Sequence, residues 1–172
     1  MSVGYDSKWP LVNSLIYFEG LDGATAACDE KTNALVSFVN CAISRMSPSF
    51  PDGALYFQDA ATNRYALSGA SRQLSLGSNI FEIPFVLTDW GSAGVRRLFR
   101  AANMSAYIDS VTRTLYWDIN VDGSGWVSAA YIIPDPDNYK KKKHDARFGL
   151  TSTEQFIEID GVEVARIAHG KT

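Results

Sequence analysis

The sequence predicts an all-β sandwich or barrel. Short apolar or alternating runs recur along the 172 residues, clusters of Gly, Pro, Asn and Asp separate them, and no segment has the period of a long amphipathic helix. Many short strands between regular turn signals are the pattern of a two-layer β fold.

The strands follow in order. Leu15-Ile16-Tyr17-Phe18 is a compact apolar run that ends at Glu19-Gly20, and Ala34 to Ile43 is a second stretch broken by Asn40. Ala54-Leu55-Tyr56-Phe57 follows the turn Pro51-Asp52-Gly53, and Tyr65-Ala66-Leu67 follows Thr62-Asn63. Ile80 to Leu87 is strongly apolar but contains Pro84, which cannot donate to a ladder and marks a sheet edge or a bulge. Arg96 to Arg100 is another short strand. Thr114 to Val121 alternates, turns at Asp122-Gly123-Ser124-Gly125, and resumes as Trp126 to Ile133, the pattern of a hairpin. Pro134 to Asn138 stops it, because two prolines and three turn-formers cannot continue a ladder.

Gln155-Phe156-Ile157-Glu158-Ile159, Asp160-Gly161 and Val162-Glu163-Val164-Ala165-Arg166 form the strongest local signal. Asp-Gly suits a two-residue type I′ turn, whose two central residues need positive φ. That turn is expected to pair Ile159 with Val162 and Ile157 with Val164 on one apolar face, and to set Glu158 opposite Glu163.

Composition narrows the function classes. Hydrophobic residues are 46% and charged residues 20%, an ordinary globular balance. The net charge of −3 argues against a nucleic-acid partner, since phosphate contacts call for clustered cations. The one cationic run, Lys140–Lys143 with His144 behind it, reads as a solvated strand edge or loop rather than an anion-binding surface. Nothing resembles a secretory signal, and no apolar run approaches the ~18 residues of a membrane span, so synthesis in a cytosol without membrane insertion is expected. Cys28 and Cys41, the only cysteines, are expected as reduced thiols, and two Cys with two scattered His make no zinc site.

Taken in order, these pieces resemble the laminin-G-like jelly roll of the concanavalin A-like class. Leu15-Ile16-Tyr17-Phe18-Glu19-Gly20 with Asp22-Gly23 and Asp29 is similar to that family's opening strand and turn, with Glu19 in the usual aspartate's place. Asp52-Gly53-Ala54-Leu55-Tyr56-Phe57 with Tyr65-Ala66-Leu67, and Phe81-Glu82-Ile83-Pro84-Phe85-Val86, resemble its next strands. Lys143 to Phe148 with Ile157 to Val162 resembles its late hairpin pair. The resemblance covers about residues 11 to 167 and implies a two-sheet antiparallel jelly-roll sandwich over residues 11–172, preceded by an N-terminal arm at 1–10. Such domains usually continue past the Asp-Gly hairpin into further strands, so the sandwich is expected to be incomplete in one chain.

Four sets of residues are candidates for chemistry. Glu158-x-Asp160-x-x-Glu163 has the acid spacing of some concanavalin A-like glycosidases, and carboxylates facing each other across a hairpin lie ~5 Å apart, near the separation in retaining enzymes. Gly161 interrupts that motif and Asp160 falls in the turn, so a solvent-facing, mutually repelling pair is the preferred reading and no catalytic residue is assigned. Asp118-x-Asn120-x-Asp122-Gly123 copies the first half of a calcium loop, but Ala129 stands where the closing carboxylate belongs. No cofactor is therefore expected. His144 and His169 sit in no nucleophile motif. Of the four tryptophans, Trp90 in Thr88-Asp89-Trp90-Gly91-Ser92 lies in an apparent loop and is the candidate ligand contact.

The resemblance implies an accessory module of the kind found in tailed-phage virions: a capsid-surface, baseplate or tail-fibre subunit, made in the host cytoplasm, that assembles with itself or a neighbouring subunit. Tyr5 and Trp9 in the arm are the candidate assembly anchors. The alternative is a lectin-like module binding surface glycan, and a glycoside hydrolase comes third.

Overall fold

The fold is that of a computed structural model. It describes residues 23–28, 30, 33, 35–39, 41–44, 54–57, 65–68, 79–87, 90, 94–101 and 103–171. The strand expected over Leu15–Phe18, the arm at 1–10 and the anchors Tyr5 and Trp9 lie outside the described residues. The chain divides into two compact units, Met1–Ala70 and Ser71–Thr172.

In the first unit, β1 (Ala26–Cys28), β2 (Leu35–Val39) and β5 (Tyr65–Ser68) make an antiparallel sheet in the order β1-β2-β5, and β3 (Cys41–Ser44) pairs with β4 (Ala54–Phe57). The break expected at Asn40 separates β2 from β3. Val36 and Ile43 are buried, and the Ile43 backbone exchanges hydrogen bonds with Gly23 and Ala24. Cys28 is exposed.

The second unit is the antiparallel two-sheet sandwich of the jelly-roll class. Its first strand, β6 (Asn79–Val86), starts one sheet, and the chain then crosses to the other. There it builds a meander of β7 (Val95–Ala101), β8 (Met104–Asp109), β9 (Thr114–Ile119) and β10 (Val127–Ile132). One helical turn, α1 (Pro136–Tyr139), carries it back to β11 (Lys143–Leu150), which pairs with β6 and is followed by β12 (Glu154–Ile159) and β13 (Val162–Ala168). Asp135 caps that turn, accepting from the Asn138 N–H, and Pro136 opens it, so the expected strand stop is a one-turn helix. Pro84 faces Asp145 in unbroken register on β6, an edge strand among the described residues, which settles the choice between edge and bulge.

Alternation decides what each sheet buries. Leu115, Trp117 and Ile119 of β9 and Met104, Ala106 and Ile108 of β8 point inward, against Ala146, Phe148 and Leu150 of β11 and Ile157 and Ile159 of β12. Trp117 and Phe148 are fully buried with ring centroids 5.7 Å apart, and burial of such a side chain stabilises by roughly 2–3 kcal/mol. Polar contacts fix the layers to each other. Trp117 Nε1 donates to the Gly149 carbonyl at 3.1 Å, and the buried Gln155 Nε2 donates to the carbonyls of Trp117 and Val127 at 3.2 and 3.1 Å. Gly149 is opposite Phe156, whose ring lies where a Cβ would stand, 2.0 Å from the position that atom would occupy.

The Asp160-Gly161 turn has φ of 52° and 79°, as a type I′ turn requires, and Ile159 pairs with Val162 as expected. Beyond it the expectation fails: Ile157 pairs with Ala165, because a bulge between Ile157 and Glu158 places one extra residue, Val164, on β13. Nor do the two strands share an apolar face there, since Val162 is exposed while Ile159 is buried. The lysine run is a solvated turn: Lys140 pairs with Asp137 at 2.8 Å, Lys142 with Asn138, and Lys141 takes a φ of 61° with its N–H on the Leu87 carbonyl.

Candidate functional site

The outer face of β7–β10 is laid out in cross-strand rows. Arg100, Ser105, Asp118 and Ser128 make one row, and Arg97, Tyr107, Tyr116 and Ala130 the next. Strict alternation along β7 would put Phe99 outside with Arg97. A bulge at Leu98 reverses the phase, so Phe99 turns into the core against Phe81, Trp117 and Phe148, and Arg100 comes out beside Arg97. One extra residue thus sets two guanidiniums on the same face.

A groove of about 320 Å³ lies on this face, lined by Arg97, Arg100, Ser105, Tyr107, Asp118 and Trp126, with Val95 beside them. That volume is at the lower end of the ~300–1,000 Å³ of small-molecule sites. The indole of Trp126, where the β9–β10 loop enters β10, is 49% exposed. Tyr107 stacks on Tyr116 with centroids 5.0 Å apart, beside the Asp118 carboxylate. Burial, then the charge of Asp118, push the Tyr107 phenol up to about 12, so it stays a donor at any physiological pH. Asp118 Oδ1 is buried with no hydrogen-bond partner among the described residues, and neither Arg97 nor Arg100 has an acidic partner among them. The groove therefore holds donors and an acceptor not matched to each other.

The residues singled out in the sequence are placed differently. Trp90 is 5% exposed: its Nε1 donates to the Pro136 carbonyl at 3.0 Å, its ring lies near Tyr139, and the Arg113 guanidinium covers it at 4.7 Å. It is a core aromatic, and a ligand contact would need its burial undone. Asp118, Asn120 and Asp122 do not converge. Asp118 faces the groove, Asn120 Oδ1 accepts the Gly125 N–H at 3.0 Å, and Asp122 is 3.0 Å from the Lys171 ammonium. The described residues contain no group of three acidic, His or Cys side chains that could hold a metal.

Glu158 and Glu163 do stand opposite each other, but each is held by an arginine. Arg147 Nη1 donates to both Glu158 oxygens at 3.0 Å, and its Nε lies 3.0 Å from Glu82 Oε1 as an ion pair outside hydrogen-bond geometry. Arg166 binds Glu163 and Glu154, and its hydrogen bonds hold the Glu163 carboxyl below its ordinary range, opposite to what a general acid needs. Asp160 in the turn accepts the Asp145 N–H at 2.8 Å. Burial pushes its carboxyl up, but that bond and His144 outweigh burial and hold it below the usual value. His144 Nδ1 is 2.8 Å from Asp160 Oδ2 and Nε2 is 3.0 Å from the Tyr139 carbonyl oxygen. Through these two contacts the ring joins β11 to the turn.

Sequence reasoning passed over Arg97, Arg100, Tyr107 and Trp126. Arg96, Arg97 and Arg100 are visible as a basic strand, but their faces depend on the bulge, which Val95-Arg96-Arg97-Leu98-Phe99-Arg100 does not announce. The signal at Trp126 was its place directly after a Gly-containing hairpin loop.

No family model matches the chain, and no curated protein matches it. Among solved structures it is similar to the mouse laminin alpha1 chain, domains LG4-5, with a TM-score of 0.46 and 18% identity over 58% of this chain. The match spans 26% of that chain, about a quarter of its length.

Proposed function

We propose that the chain is a non-catalytic, lectin-like interaction module that binds a hydroxyl-rich glycan in the groove on the outer face of β7–β10. One observation carries this reading: the groove sets two guanidinium donors without acidic partners, one acceptor oxygen without a partner and an exposed indole around a single space. A phosphate or sulfate would use the arginines but meet repulsion from Asp118, and a cation would use Asp118 but meet repulsion from the arginines. Sugar hydroxyls donate and accept at once and match both, while the C–H face of a pyranose lies on the indole. A glycan array with neutral and acidic oligosaccharides tests this. Binding of neutral oligosaccharides, lost in Trp126→Ala and in the pair Arg97→Ala, Arg100→Ala while melting is unchanged, supports the reading; no binding to any glycan overturns it.

Assembly with copies of itself or with a neighbour, as in a virion subunit, is the second reading, and β13 favours it. This strand pairs only with β12 among the described residues and exposes Val162 and Ile167, so its other edge is a template for strand addition. Sedimentation of the protein beside an Ile167→Lys variant separates the cases: a multimer dissociated by the charge supports assembly, and a monomer at micromolar concentration removes it.

A further inference from the structure

We propose that Lys171 is a built-in cation that holds the β9–β10 loop and thereby positions the Trp126 indole at the groove. The inference rests on reading that groove as the binding site. The Lys171 side chain is 5% exposed, and its ammonium meets three oxygens of one loop: Asp122 Oδ1 at 3.0 Å, Ser124 Oγ at 2.7 Å and the Gly125 carbonyl at 2.6 Å. All three oxygens belong to the turn between β9 and β10, and of Asp118, Asn120 and Asp122 only Asp122 meets the ammonium. Its charge is matched by Asp122 and two of its protons by the Ser124 and Gly125 oxygens, which offsets the cost of keeping a lysine head group out of water.

The loop is otherwise held from within. Asp122 Oδ1 accepts the Ser124 N–H at 3.0 Å, Ser124 Oγ donates back to the Asp122 carboxylate, and the Asn120 N–H donates to the Asn103 carbonyl at 2.8 Å. Gly125 is the hinge. Its φ of 131° is a conformation other residues rarely adopt, its N–H is fixed by Asn120 and its carbonyl by Lys171, and Trp126 is the next residue. Without the ammonium the carbonyl side of that hinge is held by nothing else among the described residues.

Lys171 is itself delivered by a short built segment after β13. The His169 N–H donates to the Thr153 carbonyl, Gly170 turns the chain with a φ of 59°, and the Lys171 N–H donates to His169 Nδ1 at 3.0 Å. His169 Nε2 faces the Thr151 carbonyl oxygen at 3.2 Å, so Nε2 carries the proton and Nδ1 is free to accept. The β11–β12 turn, through His169, thus reaches across the sandwich to the edge of the groove.

The test uses the full chain and Lys171→Met, which keeps most of the volume and removes the charge. Hydrogen exchange over residues 120–126 and iodide quenching of Trp126 need no ligand. Both should rise in Lys171→Met, while Trp90 and Trp117 stay shielded. Ser124→Ala, which removes one oxygen and leaves Lys171 in place, should move both readouts the same way by less. Methylammonium chloride should reverse the changes in Lys171→Ala, where sodium chloride should not. Affinity for the oligosaccharide ranked first on the array should fall about tenfold in Lys171→Met. Wild-type exchange and quenching in both Lys171→Met and Ser124→Ala overturn the proposal. A loosened loop with unchanged affinity overturns the link to the groove. If wild-type protein binds no glycan, the exchange and quenching results alone decide the role of Lys171.

Discussion

On the outer face of β6 and β11–β13, Arg147 stands between Glu82 and Glu158, and Arg166 between Glu154 and Glu163. On the outer face of β7–β10, Arg97 and Arg100 have no acidic partner among the described residues, and an acceptor oxygen of Asp118 is likewise unmatched. Both faces carry arginines and acids in cross-strand rows, yet one closes its charges on itself and the other leaves them open around an indole. Matched charges on a solvated sheet contribute modestly to folding and offer a ligand little. Unmatched groups beside an aromatic plane are where a ligand gains most, because no group of the protein already fills their hydrogen bonds. Searching the acidic row for an active site, as the Glu158, Asp160 and Glu163 spacing invites, therefore looks at the self-satisfied face.

Breaking what the faces share should have the largest effect. Trp117→Phe removes the bond to the Gly149 carbonyl and half of a fully buried indole, and is expected to cost roughly 2–4 kcal/mol, measured by urea unfolding. The loss should unfold both sheets of the Ser71–Thr172 unit together. Next comes the open face. Trp126→Ala should weaken oligosaccharide binding by about tenfold or more, measured by titration calorimetry, with melting unchanged because the ring is half exposed.

The matched face should answer in stability only. Replacing Glu158 and Glu163 with Gln leaves Arg147 with Glu82 and Arg166 with Glu154 as their only charged partners among the described residues, so a small loss of stability is expected by chemical denaturation, with oligosaccharide affinity unchanged. Mutual repulsion would have given the opposite sign. The smallest effect concerns Asp122, whose carboxyl is held at about 2, first by the Ser124 N–H and then by Lys171, below the ~3.9 of an unfolded chain. A depressed folded value stabilises above the unfolded one, so this contribution is complete above about pH 4 and fades as pH falls toward 2. Asp122→Asn should flatten that part of a melting-temperature profile against pH.

Much of the sandwich is written in local chemistry. Asp160-Gly161 selects its turn, Pro84 seeks an edge, and Leu115-Trp117-Ile119 alternates strongly enough to show its buried face. Met104–Asp109, a central strand, was passed over because Ser105 and Ala106 have little β preference of their own and are placed by neighbours on both sides. The site was less legible for a related reason. Its residues come from β7, β8, β9 and the loop before β10, and a bulge at Leu98 decides which β7 side chains face it. A bulge changes the phase of an alternation without changing its composition, and Lys171 reaches Asp122 only through packing that no local pattern encodes.

Hydrogen exchange by mass spectrometry, run with and without the oligosaccharide ranked first on the array, tests the central claim most directly. The account predicts slowed exchange along β7–β9 and at residues 120–127, with β11–β13 unchanged. Slowing confined to β11–β13, or none on β7–β9 under saturating saccharide, would contradict it.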